Sequence, residues 1–342
     1  MGNDLQKNWK YSISSLPTNH CYNFMDVFKF ICAILIVIIH VQIFSSGESK
    51  ALDWVNLSLY KYIARIAVPF FFVASGFFLF RKVEVNNPDI KTVGIYLAKN
   101  LKVFAIWSII LIFGQKFHLW YMQSLVVAVG IVFLLLKLGL KPKIIFLIST
   151  ILYAIGLFGD SYYGIIKDIE IINNIFTKYF LTTRNGIFMG MSFVSMGLLF
   201  AKCNICLSKV TCCLGLISSC ALMAVEVVLL CLYDVSRDYN MYIFLQPVTF
   251  FIFYFVTHLE LKDRPIYSKL RKMGILIYFS HLFFNYVAIR GQKLLRTAFL
   301  FELPSYLQQP VIFILTIAMT VLFAWIVEKI ADKHKAVRWF YT

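Results

Sequence analysis

The chain has 342 residues, of which 60% are hydrophobic and 15% charged. A soluble domain carries about 25% charged residues, so one water-soluble core cannot hide this apolar surface, and the chain reads as an all-α, polytopic integral membrane protein. The net charge of +16 does not point to nucleic acid, because the Lys and Arg residues fall between apolar runs and form no basic stripe or stacking module.

Residues 1–22 are polar and mixed and are predicted as a cytoplasmic N-terminal segment. No apolar stretch with a small-residue cleavage site precedes them, so no cleavable signal peptide is expected. About ten membrane helices follow, at 24–44, 63–80, 95–113, 119–136, 144–158, 185–200, 210–233, 241–258, 273–289 and 306–330. No internal repeat or Pro-rich linker interrupts them, so residues 23–342 are expected to form one transmembrane domain. Ten spans put both termini on one side. With that side inside, the inner segments hold 22 of the 33 basic residues. The excess predicts cytoplasmic termini and a multi-pass protein of the cell membrane.

An ionisable side chain within a span is expensive, and is usually paired or functional. The first helix carries Asp26, Lys29 and His40. Positions 29 and 40 differ by eleven steps of 100°, three turns plus 20°, so they share a face about 16 Å apart. Lys29 suits a snorkelling anchor or a site near the cytoplasmic surface. His40 stands on a nearly all-apolar stretch past the midplane and is expected to be buried and available as a base. The alternative is a polar packing contact. Arg65 opens the second helix, and Pro69 with the Ser75-Gly76 pair predicts a kinked, closely packed segment. Lys99 and Lys102, at the inner start of the third helix, fit an orientation anchor as well as a phosphate contact.

His118-Leu119-Trp120-Tyr121 marks the outer end of the fourth helix, where an aromatic belt would also place Trp and Tyr. Arg184 and Asn185 open the sixth helix. Glu226 lies in the seventh, about two turns from its outer end, and is expected to pair with an Arg or His of a neighbour. Tyr278 and His281, three apart, share one side of the ninth. Cys203, Cys206, Cys212 and Cys213 read as small apolar residues at a loop and helix start, and no metal is expected.

Lys29 separated by ten residues from His40, Arg65 with Val68-Pro69-Phe70-Phe71-Phe72 and Ser75-Gly76, and His118-Leu119-Trp120-Tyr121 resemble the membrane-bound acyltransferase family 3. That family moves acyl groups, commonly acetyl, from cytoplasmic acyl-CoA to acceptors such as surface sugars. The resemblance implies His40 as the catalytic residue and Lys29, Lys99 and Lys102 near the acyl-CoA phosphates. Asp26, Arg65, His118, Trp120, Arg184, Asn185, Glu226, Tyr278 and His281 would support it. Where the family has a pair of Arg at i and i+3, this chain has Lys99 and Lys102, which keep charge but lose the bidentate fork. Gly156-Leu157-Phe158-Gly159-Asp160-Ser161, Thr183-Arg184-Asn185-Gly186-Ile187-Phe188, Glu226 and Met241-Tyr242 are similar to the membrane domain of the serine racemases of vancomycin-resistance systems. There the membrane half is thought to take up L-serine, ahead of a soluble pyridoxal-phosphate domain. This sequence ends at Thr342 before any counterpart of that domain, so racemase activity is not expected of it alone.

Three functions compete. The first is transfer of an acyl group from acyl-CoA, the donor substrate, to a surface glycan or small hydroxyl acceptor. In it His40 is base or acyl carrier, and Arg65, Arg184 or His118 steadies developing negative charge. The second is uptake of a small amino acid such as serine, against which stands the absence of an inverted repeat or paired broken helices. The third is a noncatalytic membrane partner of a separate enzyme.

Overall fold

The computed structural model describes residues 9, 11–17, 20–44, 49–111, 119–180, 182–299, 303–331 and 333–341. Among them there is no strand. Seven helices are long and apolar enough to cross a membrane, and three shorter apolar helices accompany them. All ten expected helices are therefore present, and the all-α, polytopic membrane architecture holds. In chain order they are α1 (Asn23–His40), α2 (Lys50–Phe80), α3 (Ile90–Ile110), α4 (Trp120–Lys137), α5 (Pro142–Leu157), α6 (Tyr163–Ile166), α7 (Glu170–Tyr179), α8 (Gly186–Lys202), α9 (Lys209–Leu232), α10 (Leu245–His258), α11 (Pro265–Phe299) and α12 (Ser305–Ala331).

Several boundaries differ from expectation, each for a local reason. Helix α2 starts at Lys50 rather than 63, because the Ser49 hydroxyl accepts the Leu52 amide at 3.2 Å and caps an amphipathic extension. Its run is irregular at Ser58–Tyr62, a π turn, and Ile63–Ile66, a 3-10 turn. This irregular stretch ends just before Pro69, whose ring has no N–H to give and crowds the carbonyl four residues back at Arg65. Helix α3 starts at Ile90 because the Asp89 carboxylate accepts the amides of Lys91 at 2.9 Å and Thr92 at 3.0 Å. Helix α11 runs 35 residues, about 52 Å at 1.5 Å per residue, far beyond the apolar stretch that signalled it. Helix α7 was not expected at all. Its Ile171, Ile175 and Tyr179 are exposed along one stripe, while Phe176 is buried.

The chain divides into two compact units of interleaved segments. The first comprises 1–22, 68–98 and 120–261. In it α8 packs on α4 and α5, and α9 packs on α10. Gly76 and Gly197 face each other's helices, and a Cβ on Gly76 would strike the Val194 carbonyl, one on Gly197 the Val73 carbonyl. The predicted close packing of Ser75-Gly76 is thus a backbone-to-backbone seam. The described part of the N-terminal segment packs within this unit: Trp9 and Ile13 are buried, and Arg81 donates to the carbonyls of Leu16, at 2.9 Å, and Pro17, and to the Tyr22 hydroxyl.

The second unit comprises 23–67, 99–119 and 262–342. Helix α11 packs along α1 and α12. Two ion pairs clamp it, Arg271 to Asp26 of α1 at 3.3 Å and Lys272 to Glu328 of α12 at 3.4 Å. Trp107 stacks on Phe279 with ring centroids 5.2 Å apart and donates to the Phe340 carbonyl at 2.9 Å.

Candidate functional site

The second unit holds most of the predicted residues. Helix α1 is unbroken from Asn23 to His40, so Lys29 and His40 keep their shared face and their separation of about 16 Å. His40 is the last residue of the helix and is exposed. This corrects the expectation of a buried imidazole: the apolar run continues to Phe44 in sequence, but the helix stops at His40. His281, by contrast, is fully buried, at 0% exposure. The two rings lie 5.1 Å apart, tilted by 39°. His281 Nδ1 stands 2.8 Å from the Tyr278 carbonyl oxygen and 3.2 Å from that of Ile277. Tyr278 is buried against Phe279, ring centroids 4.9 Å apart.

Asp26 is buried and paired with Arg271, so at least part of its charge serves the joint between α1 and α11. Arg65 is buried, its Nε donating to the Tyr60 carbonyl at 3.0 Å and its guanidinium lying 4.5 Å from the centre of the Tyr60 ring. It braces the irregular turns of α2. Lys99 and Lys102 are exposed and stand mid-helix rather than at its start. The Lys102 ammonium sits 5.2 Å over the Trp339 ring.

Trp120, Arg184, Asn185 and Glu226 fall in the first unit. The Arg184 guanidinium lies 4.7 Å from the Trp120 ring centre, and its Nη1 donates to Asn240 Oδ1 at 3.0 Å. Asn240 in turn donates its amide and side-chain N–H to Asp160 at 2.8 and 2.9 Å, and the Met241 amide joins at 3.0 Å. Burial pushes the Asp160 carboxyl up, against the pull of these donors. Asp160 and Asn240 were missed as members of this network, although an Asp directly after an apolar span was the signal available. Asn185 caps α8, accepting from Ile187 at 2.9 Å and Phe188 at 3.0 Å, so its role is to start a helix.

Among the described residues Glu226 makes no ion pair with an Arg or His. It accepts from the Tyr162 hydroxyl at 2.7 Å and from the amides of Ile243 at 2.7 Å and Phe244 at 3.0 Å. Those amides belong to the turn that leads into α10, whose N-cap is Phe244. Beside it a cavity of about 330 Å³ is lined by Tyr162, Ile165, Leu222, Val225, Leu229 and other apolar residues. His118 lies outside the described residues. Among the described residues no group of three or more His, Cys, Asp or Glu is arranged to hold a metal ion.

Residues 22–115, which include Lys29, His40, Arg65, Lys99 and Lys102, match the family described as an acyltransferase domain. Within a polytopic helical membrane protein, that stretch is thus similar to an acyltransferase domain. The second half of the resemblance is borne out as well. The chain is 29% identical over 277 residues to an amino-acid racemase of Enterococcus faecalis, covering 73% of this chain and 38% of the relative. It is 30% identical over 203 residues to another amino-acid racemase of Enterococcus faecalis, covering 49% and 28%. It is 26% identical over 258 residues to a serine/alanine racemase of Enterococcus gallinarum, covering 67% and 36%. The chain thus spans well under half the length of these relatives. No solved structure matches it.

Proposed function

We propose that the protein transfers an acyl group, acetyl in the simplest case, from cytoplasmic acyl-CoA to a hydroxyl of a cell-envelope or small-molecule acceptor. The observation that carries the reading is His40, exposed at the end of a membrane helix that falls within the acyltransferase match and that also bears Lys29. An exposed imidazole can reach a substrate, and a positioned histidine is the commonest general base. The acceptor oxygen attacks the thioester carbonyl carbon while its proton passes to His40. The carbon–sulfur bond then breaks, and the thiolate takes that proton as CoA leaves. Lys29, Lys99 and Lys102 would attract the CoA phosphates as point charges. In this reading the protein sits in the cytoplasmic membrane with both termini inside, where acyl-CoA is available.

The test is CoA release and label transfer from labelled acetyl-CoA, in membranes carrying the wild type or His40→Gln. Loss of a general base costs about 10²–10⁴ in rate. The variant should insert normally and lose nearly all transfer. Activity within about threefold of wild type, set against that expected loss, sinks the reading.

A second reading, uptake of a small amino acid such as serine, draws on the racemase names of the relatives and on the network that joins half-buried Arg184 to buried Asn240 and Asp160. Labelled serine uptake into vesicles that depends on Arg184 but not on acetyl-CoA would favour it.

A further inference from the structure

The contacts of His281 fix its tautomer. Its Nδ1 faces two carbonyl oxygens, of Tyr278 and Ile277. A carbonyl only accepts, so Nδ1 carries the proton, and in the neutral ring Nε2 is an acceptor. The ring is fully buried, and the centroid of the exposed His40 ring lies 5.1 Å away, the two planes tilted by 39°. Helix α11, which carries His281, is itself fixed to α1 by the Arg271–Asp26 pair, so the acceptor is held where His40 can meet it.

We propose that His281 is a positioning residue for His40: a turn of the exposed His40 ring forms a hydrogen bond not made in this structure, in which His281 Nε2 accepts the N–H of the His40 nitrogen turned away from the substrate. The other His40 nitrogen then bears its lone pair toward the acceptor hydroxyl. This rests on the acyl-transfer reading. During transfer His281 keeps its own Nδ1 proton and stays neutral. The hydrogen bond between the rings becomes charge-assisted while His40 holds the acceptor's proton, and relaxes when that proton goes to the leaving thiolate. A buried histidine that only satisfies helix carbonyls would use Nδ1 and nothing more.

Two substitutions separate these roles. His281→Asn keeps an N–H donor near the place of Nδ1 but removes the Nε2 acceptor. His281→Gln sets an amide oxygen near the place of Nε2. The first readout needs no acyl transfer: the rate at which diethylpyrocarbonate modifies His40, followed by peptide mass spectrometry. The second is kcat and donor KM for CoA release from labelled acetyl-CoA. The Asn variant should slow both His40 modification and kcat by on the order of tenfold, the low end of what loss of a histidine's orienting partner costs, with donor KM unchanged. The Gln variant should recover much of both. Unchanged His40 modification in the Asn variant overturns the proposal, while His40→Gln separately decides the acyl-transfer reading. Equal losses in the Asn and Gln variants also overturn it, and make His281 a packing residue.

Discussion

Replacing Glu226 by Gln is a sharp test of how the first unit is held together. Glu226 is 6% exposed, and its Oε1 accepts from the Tyr162 hydroxyl and the Ile243 amide while Oε2 accepts from the Phe244 amide. One side chain of α9 thereby fixes the approach to α6 and the turn that enters α10. Gln keeps one oxygen and turns an NH2 toward a backbone N–H, so one bond is lost and its donor faces another donor. A hydrogen bond to a charged group contributes about 1.5–3 kcal/mol, and a buried donor left unsatisfied costs about 1–3 kcal/mol. Some relaxation toward the neighbouring cavity lowers the sum, which gives a loss of ~2–4 kcal/mol for Gln and more for Ala, which removes all three bonds. The assay is the fraction of purified protein that stays monodisperse on size exclusion after fixed heating steps in detergent. The midpoint should fall by several degrees for Glu226→Gln and further for Glu226→Ala. A Gln variant as heat-stable as wild type would refute the reasoning and return Glu226 to the list of groups that meet a substrate.

Four further outcomes are expected. Changing Lys99 and Lys102 together to Ala should raise the donor KM more than it lowers kcat, because such contacts act equally in ground and transition states; normal donor binding would leave them as orientation anchors. Gly197→Leu should prevent α8 from seating on α2, read as loss of monodisperse protein on purification, whereas Gly94→Leu, where added atoms meet open space, should be tolerated. Asp89 is held below the usual carboxylate range by the Thr92 hydroxyl and the amides of Lys91 and Thr92. Its cap should therefore protect the start of α3 above about pH 4 and be lost as pH falls through the lowered value, which hydrogen exchange at residues 91–94 reads directly. Reporters inserted at Lys262 and at Asp168 should read cytoplasmic and outside, and the reverse pattern would invert the assigned topology.

Hydropathy located the ten helices well, because a bilayer demands continuous apolar runs. It located their ends poorly. The extensions at Lys50 and Ile90 rest on the capping oxygens of Ser49 and Asp89, and α11 continues through Arg290, Lys293 and Arg296, where charge hides a helix from an apolar window. Helical periodicity correctly put Lys29 and His40 on one face of α1. It could not say that His40 ends its helix in the open while His281, on a span carrying ordinary polar residues, is the buried ring. That depends on where α1 stops and on how α11 packs along it. The partners of Glu226 were illegible for a different reason: two of its three donors are backbone amides, which every sequence contains.

The seam between α2 and α8, where Gly76 and Gly197 bring two backbones into contact, has a thermal consequence. Folding from water buries apolar surface and leaves a large heat-capacity change, so ordinary stability curves bend and fall again in the cold. Helices that meet inside lipid exchange one apolar neighbour for another, and their attraction comes from close packing instead. A joint of this kind contributes cohesion with little curvature in temperature. Cooling should tighten it where a water-formed core would begin to weaken.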